Sequence, residues 1–201
     1  WNEANAATNR LDTEKTLHRP STGDIEAAAA RLKTPYAALM IGGTALFGPQ
    51  RELAGKISAA TGCRLLADTL IPRISKGAGT AKLDQLVYPI TPKIAQLEAT
   101  SSMTLLGTDR PVAFFAYPGK PSVPEPPHCP TTDLCTPTDE IVWTLQALAD
   151  AVGVTSKSVA ESYPLDLPDI PTGQLTLEKV GLALAALIPE NAIVCNESVT
   201  S

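Results

Sequence analysis

Apolar and polar positions along the 201-residue chain fall into short blocks of changing period. The first, WNEANAATNRLDTEKTLHRP (1–20), is polar and aperiodic and predicts a linker. Beyond it, Ser21 or Thr22 is placed to cap a helix through DIEAAAARLK, with Asp24 and Glu26 in its first turn, where acidic side chains favour the helix dipole. YAALMIGG follows as an apolar run closed by Gly42-Gly43, the pattern of a strand buried on both faces. PQRELAGKISAATG then returns to helical spacing, with Leu53, Ile57 and Ala60 on one face and Gly62 as its stop.

The alternation continues. CRLLADT predicts a second strand, Leu86-Val87-Tyr88 a short third and TPKIAQLEA a helix. MTLLGT and VAFFAY predict two more strands on either side of Asp109-Arg110-Pro111. The proline-rich PGKPSVPEPPHCP can only be loop, and Asp133-Leu134-Cys135 is a weak strand. Thr138 is expected to cap DEIVWTLQALADAV, whose Ile141, Leu145, Leu148 and Val152 form one stripe. About six short strands alternating with helices predict an α/β fold. The expected architecture is Rossmann-like and doubly wound, with a mainly parallel sheet and helices on both faces.

Residues 153–173 are again polar and proline-broken, a second linker. Thr176 caps a further helix in which Leu177, Val180, Leu184 and Leu187 align, and Ala192-Ile193-Val194-Cys195 is strand-like before the polar Asn196-Glu197-Ser198. A helix and strand after a linker predict the opening of a second domain.

Composition narrows the function classes. The chain is 44% hydrophobic, 18% charged and 4% aromatic, enough apolar material for a core built of aliphatic side chains. A net charge of -5 without a Lys/Arg run argues against a nucleic-acid or anionic-membrane partner. No apolar stretch approaches the roughly 20 residues that span a bilayer. The scattered Cys63, Cys129, Cys135 and Cys195 suit reduced thiols in a cytoplasmic protein.

Few residues announce chemistry. Gly42-Gly43-Thr44 stands where a doubly wound sheet binds ligands, but it lacks the G-x-G-x-x-G spacing, and a glycine turn for a tight strand exit is the simpler expectation. Lys76-Gly77-Ala78-Gly79-Thr80 lacks the spacing of a phosphate-binding P-loop. Cys129 and Cys135, with His128 adjacent, are too loosely spaced for zinc, and two histidines give no hydrolytic triad. No catalytic residue and no metal ligand is therefore assigned. The tail is different in kind, because hydroxyl and carboxylate side chains at a strand's carboxyl end can bind a polar ligand.

Three stretches together resemble the thiamine diphosphate-dependent enzymes of the acetolactate synthase and benzoylformate decarboxylase type, the acetolactate synthase large subunits above all. LIPENAIVCNES resembles the entry to their diphosphate-binding domain, RPVAFFAYPGKPS a strand-loop of their middle domain, and WNEA the end of their pyrimidine-binding domain. The resemblance implies a central domain at 21–152 with connectors at 1–20 and 153–175. Residues 176–201 would then open a C-terminal diphosphate-binding domain. It implies thiamine diphosphate and magnesium as cofactors, a 2-oxo acid as the small-molecule substrate, and a homodimer or homotetramer. Carried over residue by residue, only Glu197, Ser198, Val199 and Thr200 border the cofactor; Val199 departs from relatives that carry a hydroxyl there. FAD or another nucleotide in the central domain is the lesser expectation, since no Gly-rich phosphate loop is evident. The isolated chain is expected to be catalytically silent. The alternatives are a stand-alone nucleotide- or flavin-binding module and a non-catalytic assembly domain.

Overall fold

The sheet is organised around β1 (Ala37–Ile41), whose five residues are all buried because the strand has a neighbour on each edge and helices over each face. In this computed structural model residues 17–196 are described, and the chain divides into two compact units, Trp1–Tyr163 and Pro164–Ser201.

In the first unit α1 (Thr22–Leu32) precedes β1, and α2 (Gly48–Thr61) follows it after a 3-10 turn at Gly43–Leu46. Then come β2 (Arg64–Ala67), β3 (Asp84–Gln85), α3 (Ile90–Leu97), β4 (Ser102–Leu106), β5 (Thr131–Cys135) and α4 (Ile141–Val152). The strands are all parallel in the order β3-β2-β1-β4-β5. Winding runs outward from β1 through β3, returns beside β1 at β4 and continues to β5. The direction reverses between β1 and β4, and this is the Rossmann-like arrangement. Leu39 stands opposite Leu65 on one side and Thr104 on the other.

Alternation along β1 divides the core into two layers. Ala37, Leu39 and Ile41 pack with Ile25, Leu32, Ile57, Leu145 and Leu148 under α1, α2 and α4. Ala38 and Met40 face the other way, against Leu66, Leu97, Met103 and Leu105 beneath α3. The helices start and stop as their local chemistry dictates. Ser21 makes a capping box with Asp24, and Gly62 and Gly153 close α2 and α4 in the left-handed conformation.

Among the described residues five strands form, close to the six or so that the pattern predicts. The run Val112–Tyr117 is not a strand, since both edges of β4 are already taken by β1 and β5. Pro111 and Pro118 bracket it, and Val112, Phe114 and Phe115 are exposed. The third strand is Asp84–Gln85, just before the Leu86–Tyr88 that the pattern favours. Thr138 does not cap α4. The Asp139 carboxylate accepts instead from the Thr136 N–H at 2.8 Å and hydroxyl at 2.7 Å, closing a turn, and the helix begins at Ile141.

The second unit holds α5 (Leu177–Leu187), capped by Thr176, whose hydroxyl accepts from the Lys179 N–H at 3.2 Å. No side chain of α5 is buried. Residues 192–196 carry no regular structure, with Ile193 and Val194 exposed. Among the described residues no helix is long and apolar enough to cross a membrane.

Candidate functional site

Ligands of doubly wound sheets bind beyond the carboxyl ends of the strands where the winding reverses. Here that point lies between Gly42, after β1, and Gly107, after β4. The Gly42 N–H draws the two turns together by donating to the Leu106 carbonyl at 3.0 Å, and the Gly107 N–H donates to the carbonyl of Cys135, the last residue of β5, at 2.7 Å. Gly43 and Gly107 are both left-handed, with φ of 54° and 71°. A Cβ at Gly43 would stand 2.9 Å from Ile141 Cδ1, and one at Gly107 would stand 2.8 Å from the same atom. Ile141, the first residue of α4, therefore plugs the reversal point. These glycines serve close backbone approach and a tight strand exit.

The second glycine-rich stretch is spent on internal contacts. The Thr80 N–H donates to the Gly77 carbonyl at 3.3 Å and the Gly79 N–H to the Tyr163 carbonyl at 2.8 Å. Cys129 and Cys135 lie in the two separate core layers with the sheet between them, and His128 is exposed. Burial raises the pKa of the Cys63, Cys129 and Cys135 thiols, keeping them neutral. Of the tail, Glu197, Ser198, Val199 and Thr200 lie outside the described residues.

Among the described residues three charged groups that sequence reasoning passed over sit inside the fold: Lys93, whose Nζ donates to the Val112 carbonyl at 3.3 Å, Glu125 and Arg51. Glu125 is 5% exposed; its Oε1 accepts from the Arg110 guanidinium and from the Thr131 hydroxyl at 3.3 Å. Arg51 is 2% exposed, and its guanidinium donates to the carbonyls of Ser75 and Ala81. Burial lowers the Arg51 pKa from its ordinary value. A signal for Arg51 existed, since it stands one turn before Ala54 on the buried stripe of α2.

Comparison with known proteins supplies what the geometry does not. The chain is 38% identical over 178 residues to the "Putative acetolactate synthase large subunit IlvX" of Mycobacterium tuberculosis, an alignment covering 88% of this chain and 34% of that protein. Over most of its length the chain is therefore similar to an acetolactate synthase-like protein of the thiamine diphosphate-dependent enzymes. It spans about a third of the length of this curated relative. The X-ray structure of "a putative thiamin diphosphate-dependent enzyme isolated from Mycobacterium smegmatis" superposes with a TM-score of 0.61. That match has 16% identity, covers 92% of this chain and 38% of the other, and establishes likeness of fold. No protein-family model matches the chain.

The described residues do not by themselves fit the cofactor these enzymes are named for. Among them no three His, Cys, Asp or Glu side chains come together to hold a metal ion. Nor does either glycine-rich turn form an open cradle for a diphosphate: Ile141 packs on one, and the other is closed by its own hydrogen bonds.

Proposed function

We propose that this chain is the central domain, with its connectors, of an acetolactate synthase-like enzyme that decarboxylates or carboligates a 2-oxo acid. The observation that carries the reading is the 38% identity sustained over 178 residues of the mycobacterial relative. When bound, thiamine diphosphate supplies the electron sink that lets a 2-oxo acid lose carbon dioxide. Magnesium would anchor its diphosphate. Both would be held by domains flanking this one, and the described residues contribute scaffold. The enzyme is read as a cytoplasmic homodimer or homotetramer.

On this reading residues 176–201 open the diphosphate-binding domain, and Glu197, Ser198, Val199 and Thr200 form one rim of its cofactor site. The unburied α5 supports it: Leu177, Val180, Leu184 and Leu187 are an apolar stripe suited to a domain core.

The test is a paired assay. The parent protein and the isolated 201-residue chain are each supplied with thiamine diphosphate, magnesium and pyruvate. Carbon dioxide release and acetolactate are then measured. Turnover by the parent and none by the chain is the expected result. Turnover by the chain alone, or a parent that neither binds the cofactor nor consumes any 2-oxo acid, would overturn the reading.

A further inference from the structure

Arg51 is a buried cation with no carboxylate among its hydrogen-bond partners in the described residues. Its Nε and Nη2 both donate to the Ala81 carbonyl, at 2.9 and 2.6 Å, and its Nη1 donates to the Ser75 carbonyl. Residues 75 and 81 bound the glycine-rich stretch that follows β2, so one side chain on α2 grips both ends of that loop. The loop in turn holds the last residues of the first unit. Ala81 bridges Ser162 in antiparallel fashion. The Lys82 N–H donates to the Glu161 carbonyl at 2.8 Å, the Gly79 N–H to the Tyr163 carbonyl at 2.8 Å, and the Tyr163 N–H to the Thr80 carbonyl at 3.0 Å.

Side chains close the same junction. The Tyr163 hydroxyl donates to the Leu83 carbonyl at 2.8 Å, and the Arg51 guanidinium lies 5.8 Å from the centre of the Tyr163 ring. Lys82 and Glu161 form an ion pair. Beneath them three small residues meet: a Cβ at Gly55 would stand 2.5 Å from that of Ala81 and 2.8 Å from that of Ala160. Larger side chains at any of the three would push the layers apart.

We propose that Arg51 is a latch that fastens the loop 75–83 and the exit segment 159–163 to α2 as one cooperative unit. The latch fixes where the connector becomes free, namely at Pro164. Beyond it the backbone N–H groups of Leu165, Asp166, Leu167, Asp169 and Ile170 make no hydrogen bond to a described residue, whereas those of Gly79, Lys82 and Tyr163 are each committed across the junction. A side-chain cation bonded to carbonyls suits this role, because it satisfies the buried Ala81 carbonyl and the half-buried Ser75 carbonyl at once.

Amide hydrogen exchange on the full chain tests the latch. The N–H groups of Gly79, Lys82 and Tyr163 are expected to exchange at one common rate, roughly a hundredfold slower than those of residues 165–170. In Arg51→Met the three rates rise together while Leu39 and Met40 in β1 keep theirs. Gly55→Ala serves as a second variant and decides the matter if Arg51→Met does not fold. It retains every donor and acceptor and adds one methyl against Ala81 and Ala160, so the same joint rise is expected. A wild-type Tyr163 amide as fast as its neighbours beyond 164 would overturn the latch. So would rates that move independently, or that stay unchanged in Gly55→Ala.

Discussion

The carbonyl oxygen of Gly107 lies against Gly42 so closely that a Cβ at position 42 would overlap it, and would also stand 2.7 Å from the Cβ of Thr108. Both partners are backbone or nearly so, and neither can swing aside. Gly42→Ala is therefore expected to cost roughly 3 kcal/mol, the upper end of overpacking penalties. Gly62→Ala provides the contrast. Gly42 is extended, whereas Gly62 is left-handed, with φ of 77°, and nothing lies within 4 Å of its missing Cβ. Only the conformational term remains, about 1 kcal/mol. Urea unfolding midpoints should rank wild type, Gly62→Ala, Gly42→Ala in falling order; equal losses would mean that crowding at the β1–β4 reversal adds nothing.

Ser21 and Asp24 form a reciprocal cap on α1, the Ser21 hydroxyl accepting from the Asp24 N–H at 3.2 Å and the Asp24 carboxylate accepting from Ser21 N–H at 3.1 Å. Ser21→Ala should cost about 1 kcal/mol near neutral pH. The hydrogen bond from the Ser21 side chain is the main cause that lowers the Asp24 pKa. A carboxylate whose folded pKa is depressed stabilises the fold above its unfolded value, about 3.9, and loses that contribution as pH falls through the folded value. The gap between wild type and Ser21→Ala should thus narrow below about pH 4. A gap that widened in acid would refute the cap.

Thiol accessibility follows from burial. Cys63, Cys129 and Cys135 are buried and Cys195 is exposed. With an aromatic disulfide reagent at pH 8 the native chain should release one equivalent quickly. The other three thiols should react only after denaturant is added. Because burial raises the pKa values of those three thiols, the neutral form is favoured in the fold. Their stabilising contribution is complete below the unfolded thiol value, about 8.5, and declines as pH rises through the higher folded values. A second fast equivalent would show that a buried thiol is reached by local opening.

How much of this was legible in the sequence depends on whether a signal was local. AALMI and SMTLL are uninterrupted apolar runs of strand length, and both are central strands because only a central parallel strand is buried on two faces. VAFFAY carries the same signal and is not a strand. What it lacks is a free sheet edge, and edge occupancy is set by residues far away in the chain. Thr138 looked like a cap until Asp139 turned toward Thr136. The glycines at 42, 43 and 107 were visible as turn residues, but their dependence on Ile141 exists only after α4 folds back over the sheet. Arg51 marked itself by falling on the buried stripe of α2, though its partners at Ser75 and Ala81 were not readable from spacing. The family resemblance rested on three stretches and agrees with the 38% relative; the tail residues assigned to the cofactor rim remain a proposal.

The proposed C-terminal role of α5 gives the last expectation. Leu184 is 54% exposed, Leu187 64% and Leu177 84%, whereas Leu145 on α4 is fully buried. In the isolated chain Leu145→Ala should cost about 3 kcal/mol as a cavity in a packed core. Leu184→Ser should stay within roughly 0.5 kcal/mol, since it removes no buried contact. If α5 opens a diphosphate-binding domain, the same Leu184→Ser change in the parent protein places a hydroxyl where that domain packs. Its cost should then rise toward about 2 kcal/mol, with weaker retention of thiamine diphosphate. The two measurements are needed together. A neutral result in both proteins would leave the apolar stripe of α5 without the core that the proposed domain boundary requires, and the assignment of residues 176–201 would fall with it.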